Sequence, residues 1–145
     1  MTDVKETRAH TFEIKFVVDA QMGERIRAWA RTFLDADRHG TGPFGDEYRT
    51  STLFFDTAGG HVFHRWGSYG RAKYRIRRYG DSDMVFLERK LRRPGMLVKR
   101  RTQVALHDLE RWEDANTSLG SSAEWFRRRA DIRALRAVCQ VSYHR

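Results

Sequence analysis

Apolar and polar residues alternate along several short stretches of the chain, which is the pattern of strands with one buried face. In residues 11–18 the apolar side chains fall at every second position, and this predicts a first strand. Asp19 then favours a helix N-cap, and apolar residues repeat at helical spacing over about 20–36. The same criteria predict strands at 48–56 and 138–143 and a helix at about 122–136. The chain therefore mixes strands and helices.

The stretch from 71 to 101 has the clearest alternation, and it parses as three strands with turns at Gly80 to Asp83 and at Pro94-Gly95. Because successive side chains of a strand point to opposite faces, cations at every second position share one face. On the three strands these cation-bearing faces hold Arg71, Lys73, Arg75 and Arg77, then Phe86, Glu88 and Lys90, then Lys99, Arg101 and Gln103. So many like charges on one side predict a surface for a strongly negative ligand.

Composition agrees with a folded, basic domain. The 145 residues include 28 Lys and Arg against 19 Asp and Glu, a formal charge of +9, and 40% are hydrophobic. This balance indicates an anionic partner, which composition alone leaves as nucleic acid, an anionic membrane surface or a phosphate-rich small molecule. Nucleic acid is not expected, since no recognition-helix pattern accompanies the charge. No apolar run reaches membrane-spanning length, so we expect a cytoplasmic chain without a membrane segment.

Six short motifs follow one another in an order that resembles the VTC domain, the polyphosphate polymerase domain of the vacuolar transporter chaperone complex. They are E-x-K (Glu13, Lys15), SxLFFDT (51–57), R-x-K-x-R-x-R-x-Y-G (71–80), FLERK (86–90), VKRR (98–101) and Y-x-R (143–145). That domain is one of the triphosphate tunnel metalloenzymes, which are CYTH-like proteins. The resemblance covers nearly the whole chain.

The resemblance implies an α+β fold, an antiparallel β-barrel whose lumen is a basic triphosphate tunnel, with helices covering the outside. Residues 1–145 would form one domain, the N-terminal portion of the family domain, because the family domain continues with further strands. The tunnel is therefore expected to be incomplete within this sequence.

The resemblance also implies roles for individual residues. Phosphate-binding side chains in the tunnel would be Lys15, Arg75, Arg77, Lys90, Lys99, Arg101 and Arg145. Of these, Arg75, Arg77 and Lys90 are expected to be catalytic, and Glu13 and Glu88 would place the metal, Mn²⁺ or Mg²⁺. The expected partners are ATP, triphosphate or polyphosphate.

The implied reaction is transfer of the γ-phosphate of ATP to a growing polyphosphate chain. Such a transfer needs in-line positioning and neutralisation of charge, which Arg forks, Lys charges and a divalent cation supply. Thr11 stands where the phosphatase-type relatives carry the first Glu of E-x-E-x-K, and this favours the VTC branch.

Other interpretations remain open at this stage. The same cations could serve a metal-dependent triphosphate hydrolase, or a non-catalytic module that binds polyphosphate or inositol polyphosphates. For Arg75 and Arg77 the plain alternative is a solvated strand face, and Glu88 could be a salt-bridge partner of Lys90 or Arg75. Asp56 either orients a tunnel lysine or caps the turn that follows it.

Overall fold

The structure is a computed structural model that describes residues 3–9, 14–37, 40–94, 96–110 and 121–145, with 3–9, 110, 121 and 122 described by backbone alone. The chain divides into two compact units. The first comprises Met1–Thr11 and Arg49–Tyr143, and the second comprises Phe12–Tyr48 and His144–Arg145. Glu13 and Gly95 lie outside the described residues.

The first unit is built on an antiparallel sheet, in which the described residues supply six strands. In chain order these are β1 (Asp3–Ala9), β2 (Arg49–Asp56), β3 (Ala72–Tyr79), β4 (Met84–Arg93), β5 (Met96–Ala105) and β6 (Arg136–His144). Their order across the sheet is β1-β5-β4-β3-β2-β6, and the neighbours from β1 to β2 in that order pair antiparallel. The predicted α+β, antiparallel architecture is confirmed. Among the described residues β1 and β6 are edges, so the sheet is not closed.

One face of this sheet carries the hydrophobic core. Its buried residues are Phe55, Ala72, Tyr74, Val85, Leu87 and Val104 from the strands. They pack against helix α3 (Ser121–Ile132) and the residues after it, through Ala123, Phe126, Ala130 and Leu135. The ring of Phe126, fully buried, meets Phe55 and Tyr74 edge to face. The helix predicted near 122–136 therefore covers the apolar face of the sheet, as expected.

Two short helices complete the first unit. A 3-10 helix spans Gly67–Arg71 just before β3, and helix α2 (Leu106–Glu110) follows β5 directly. The turn between β3 and β4 begins at Gly80, which has a φ of 53° and so occupies the left-handed region where glycine is favoured. The predicted turn at this glycine is confirmed.

The second unit is organised on helix α1 (Ala20–Phe33). Asp19 is its N-cap, as predicted, since the Asp19 carboxylate accepts a hydrogen bond from the Met22 backbone N–H at 2.7 Å. Arg31 Nε donates to Asp46 Oδ2 at 2.6 Å, which ties the helix to the loop after it. None of the α1 residues is buried, so its predicted role as a cover for the sheet stays a prediction.

The strand predicted at 11–18 is wrong over 14–18, which have no regular secondary structure. Ile14 and Phe16 are 76% and 82% exposed. Alternation shows only that a segment could bury one face, whereas pairing also needs an unoccupied strand edge. In the structure the outer edge of β5 is paired with β1, which lies earlier in the chain, at Asp3–Ala9.

Candidate basic site

The face of the sheet opposite the core carries the predicted cations in register. Arg75 on β3 lies directly opposite Glu88 on β4, and Glu88 lies directly opposite Arg101 on β5. One step along the strands, Lys73, Lys90 and Lys99 form a second row in the same way. Rows two residues apart are separated by about 6.6 Å. The structure thus brings together five of the seven residues predicted to bind phosphate, if Arg77 in the next row is included.

Glu88 is the centre of the arginine row. Arg75 Nε donates to Glu88 Oε2 at 2.5 Å, and Arg101 Nε lies 3.2 Å from Glu88 Oε1 in an ion-pair contact. The Glu88 side chain is only 13% exposed, against 28% for Arg75 and 39% for Arg101. Each carboxylate oxygen therefore holds one guanidinium, and the outer nitrogens of both forks are oriented before any ligand arrives. Arg75 is one of the two partners of Glu88 considered from sequence, and this contact is found.

Arg77 begins a third row, towards the end of the strand, and is buried to 9% exposure. Its Nε donates to Thr52 Oγ1 at 3.2 Å, and Thr52 is its cross-strand partner on β2. Burial disfavours the charged form, but a hydrogen bond with Tyr79 and the nearby Glu88 carboxylate outweigh it, so the pKa of Arg77 is raised. Arg77 is therefore a permanent cation held in a fixed position.

Aromatic rings line the same end of the basic face. The Arg101 guanidinium carbon lies 3.6 Å from the centre of the Phe86 ring and 5.3 Å from that of Tyr79. The two rings meet edge to face with centres 5.5 Å apart. Because a guanidinium stacks well on an aromatic face, this contact helps to hold Arg101 in position together with Glu88.

The remaining predicted site residues belong to the second unit or are not described. Lys15 lies in the exposed segment before α1. Arg145 exchanges both backbone hydrogen bonds with Tyr48 at 2.9 Å, and its side chain is exposed. Glu13 lies outside the described residues. The roles of these three residues in the site stay predictions.

Sequence reasoning left several contributors out of the site. Lys73 was placed on the basic face but not among the phosphate-binding residues, although it lies directly opposite Lys90. Its position at every second residue from Arg75 was a sufficient signal. Thr52, Tyr79 and Phe86 hold Arg77 and Arg101 in place, and only the strand register reveals them, because it decides which side chains meet across strands.

A divalent cation would find one carboxylate at the arginine row. Among the described residues no group of three or more His, Cys, Asp or Glu could hold a metal ion. Mg²⁺ and Mn²⁺ are nevertheless often bound by one or two carboxylates together with phosphate oxygens and water. Glu88 fits that role as a single protein ligand if one of the two guanidiniums moves away and leaves a Glu88 carboxylate oxygen to the metal.

Solved structures share this architecture. A putative adenylate cyclase from Bacillus halodurans is similar over 97% of this chain and 63% of its own, with 14% identity and a TM-score of 0.56. A putative adenylyl cyclase from Hippeastrum, described as having a dominant triphosphatase activity, is similar over 99% of this chain and 64% of its own, with 17% identity and a TM-score of 0.54. The chain thus spans a little under two thirds of both structures. No curated protein matches it significantly.

The antiparallel sheet, with paired Arg and Lys on one face and a helix on the other, matches the CYTH-like tunnel fold of these structures. The VTC domain family matches residues 10–145, so the chain belongs to the VTC domain family. No described helix is long and apolar enough to span a membrane.

Proposed function

We propose that the basic face binds ATP and polyphosphate, and that it transfers the γ-phosphate of ATP to a growing polyphosphate chain with Mn²⁺ or Mg²⁺. The observation that carries this proposal is the row in which Glu88 holds Arg75 and Arg101 at 2.5 and 3.2 Å, flanked by Arg77 and by the lysine row. Rows spaced about 6.6 Å apart allow one extended phosphate chain to contact several of them.

The arginine row suits the terminal phosphates of such a chain. Guanidinium forks bind phosphate oxygens bidentately, and their value rises when they are already oriented, because less side-chain entropy is lost on binding. Glu88 and Phe86 provide that orientation for Arg101, while Glu88 alone provides it for Arg75. Lys90, Lys99 and Lys15 would contact phosphates further along as point charges, and Arg145 would add another guanidinium fork.

In the proposed reaction a terminal oxygen of the polyphosphate attacks the γ-phosphorus of ATP. A new P–O bond forms, the bond from the γ-phosphorus to the bridging oxygen breaks, and ADP leaves with the bond's electrons. Charge on the phosphoryl oxygens would be neutralised by Arg75, Arg77 and Lys90, the catalytic residues of this proposal. Glu88, with Glu13, would hold the divalent cation, which supplies further charge neutralisation when bound.

The test is titration calorimetry of tripolyphosphate with Mn²⁺ at about 0.3 M salt, where loose electrostatic association is screened. We expect one-to-one binding that Arg75→Ala combined with Arg77→Ala abolishes. Arg128→Ala with Arg129→Ala removes the same charge from exposed positions of α3 and should leave binding unchanged. Retained binding in a folded Arg75/Arg77 variant would exclude this face as the site.

Because Arg77 is buried, the double variant must be checked for folding by thermal unfolding. Arg75→Gln, which alters a part-exposed side chain, keeps the test informative if the double variant is unstable. Incubation with ATP then separates the reactions: polymer and ADP support the proposal, whereas phosphate release from tripolyphosphate would favour hydrolysis. The activity described for the Hippeastrum neighbour makes hydrolysis the second candidate.

A further inference from the structure

The segment between β2 and β3, residues 57–71, forms a loop that a buried carboxylate holds in place. Asp56, 6% exposed, accepts hydrogen bonds from the backbone N–H groups of Thr57, Val62 and Phe63 at 2.7, 2.8 and 2.9 Å. Of the two roles considered from sequence, Asp56 thus caps the turn that follows it. We call residues 57–71 the aromatic loop.

The tip of the aromatic loop displays large aromatic side chains to solvent. Residues 63–68 are all exposed, with Phe63 at 80% and Trp66 at 55%. The backbone beneath them is constrained: Arg65 has a φ of 59°, and a Cβ on Gly70 would lie 2.6 Å from the Arg65 carbonyl oxygen. A strained backbone and a buried acid that together expose two aromatic rings indicate a display surface, since folding alone gains nothing from such exposure.

The aromatic loop also carries exposed cations, and a third cation contacts it from the end of α3. Arg65 and Arg71 are exposed, and neither forms an ion pair with any residue that the structure describes. Arg133 reaches the loop from the end of α3, where its Nη2 donates to Ser68 Oγ at 3.0 Å and its guanidinium lies over the Tyr69 ring. The one acid at the base of the loop, Asp56, is occupied by backbone donors. The aromatic loop therefore combines exposed aromatic rings with exposed positive charge.

We propose that the aromatic loop docks onto an anionic lipid surface, with Phe63 and Trp66 inserted at the headgroup level. Tryptophan and other amphipathic aromatics partition to the membrane interface, and nearby arginines pair with anionic headgroups. The complementarity of charge selects lipid of negative charge over neutral lipid. Arg71, which the alternation places on the basic face, lies in the 3-10 helix before β3, and Phe63, Trp66 and Arg65 take no part in the rows of the basic site. The inference therefore does not rest on the proposed catalytic function.

Vesicle flotation of the whole chain tests the proposal, with phosphatidylcholine vesicles compared with vesicles containing about 30% phosphatidylserine at near-physiological salt. We expect binding to the anionic vesicles only. Phe63→Ser should lower the partition coefficient about ten-fold, because it removes the most exposed ring of the tip. Phe44→Ser is the matched control, since Phe44 is 67% exposed but lies in the second unit.

Two double variants that each remove two arginines distinguish binding by the aromatic loop from attraction by the overall positive charge of the chain. Arg65→Asn with Arg71→Gln should weaken binding by more than ten-fold, at about five-fold per charge, and Asn tolerates the positive φ of position 65. Arg128→Gln with Arg129→Gln removes equal charge from α3 and should have a much smaller effect. Tripolyphosphate binding should stay unchanged in the Phe63, Phe44 and Arg128/Arg129 variants.

Quenching by brominated lipid locates the contact directly. We expect tryptophan fluorescence to be quenched on binding and most of that quenching to be lost in Trp66→Phe, which keeps an aromatic ring at the position. Equal losses in the two arginine pairs, or no effect of Phe63→Ser, would mean unspecific charge attraction and would overturn the proposal. So would an absence of vesicle binding by the unmodified chain, which would leave an acidic protein as the partner to seek.

Discussion

The two faces of strands β3, β4 and β5 carry opposite chemistry on the same backbone. On the helix-covered face Leu87 and Val85 are buried against α3, and even the buried Thr102 hydroxyl accepts a hydrogen bond from Trp125 Nε1 at 2.8 Å. On the basic face Lys73, Lys90 and Lys99 lie directly opposite one another on neighbouring strands, an arrangement that weakens a sheet. The packed face therefore supplies the stability that allows the other face to keep its charges together.

Charge alone does not distinguish the two faces, because Arg89 and Arg100 lie on the helix-covered side. They are direct cross-strand partners, and their guanidinium carbons lie 5.9 and 4.4 Å from the centre of the Trp125 ring. Their aliphatic stems and flat head groups cover the indole at the margin of the core. A pair of neighbouring arginines alone therefore does not mark a ligand site, and what distinguishes the other face is that the register places Glu88 between Arg75 and Arg101.

The largest expected effect comes from the packed face. Phe126→Ala removes a fully buried ring that contacts Phe55 and Tyr74, so it should lower the free energy of unfolding by about 3–5 kcal/mol. Urea unfolding measures the change. Phe44→Ala, at a 67% exposed position, should cost far less.

The division between faces predicts that the Phe126 variant, where still folded at low temperature, binds tripolyphosphate with nearly unchanged affinity. A proportional loss of affinity and stability would show instead that the core orients the arginine row.

A change in stability of intermediate size, which depends on pH, is expected from Asp56, whose carboxylate has a structural role. Burial raises its pKa, but its three backbone hydrogen bonds outweigh burial and hold the pKa below the ordinary value. Its contribution to stability is therefore complete above the unfolded pKa of about 3.9, and it is lost as pH falls through the lower folded pKa.

Asp56→Asn should destabilise the protein by about 1–3 kcal/mol at neutral pH and flatten the acid limb of the stability curve. Unfolding midpoints between about pH 2 and pH 6 provide the measurement. If stability falls as steeply with acid in the variant as in the parent chain, then other carboxylates cause the acid-induced loss of stability. Asp46 is one of these, because a hydrogen bond from Arg31 lowers its pKa as well.

Much of this arrangement could be predicted from sequence, because β3 alternates cleanly and its faces follow from the period of two. Strands β2 to β6, the helix on the apolar face and the cap at Asp19 needed only local rules, whereas β1 at Asp3–Ala9 was not predicted. The register could not be predicted, since the pairing of Arg75 with Glu88 depends on which turn aligns two strands.

The second unit shows a second limit of prediction from sequence, which is that a periodic apolar pattern does not predict burial. Trp29 and Phe33 belong to the apolar residues that repeat at helical spacing, yet they are 56% and 66% exposed. Periodicity reports that a face is apolar, and not what covers it. The same reason explains the absence of a strand at 14–18.

On the basic face, Glu88→Gln separates two roles of this carboxylate. If Glu88 helps to hold the divalent cation, the gain in tripolyphosphate affinity on adding Mn²⁺ should fall about ten-fold or more. Without metal the variant should bind slightly more tightly, because a negative charge beside two guanidiniums is removed. Glu124→Gln is the control, since Glu124 pairs with Arg127 on α3. An undiminished Mn²⁺ effect in Glu88→Gln would restrict Glu88 to orienting the arginines.

The smallest expected effect tests whether the lysine row is held at a cost to the fold. Lys73 is exposed and lies directly opposite Lys90, so Lys73→Gln relieves repulsion and should raise the free energy of unfolding by about 0.2–1 kcal/mol at low salt. The same change should weaken tripolyphosphate binding a few-fold, because a phosphate contact is lost. A gain in stability together with a loss of affinity is expected only for a residue whose role is to bind the ligand. Added salt should reduce both changes. A variant that is both less stable and equally competent in binding would place Lys73 among the structural residues of the sheet.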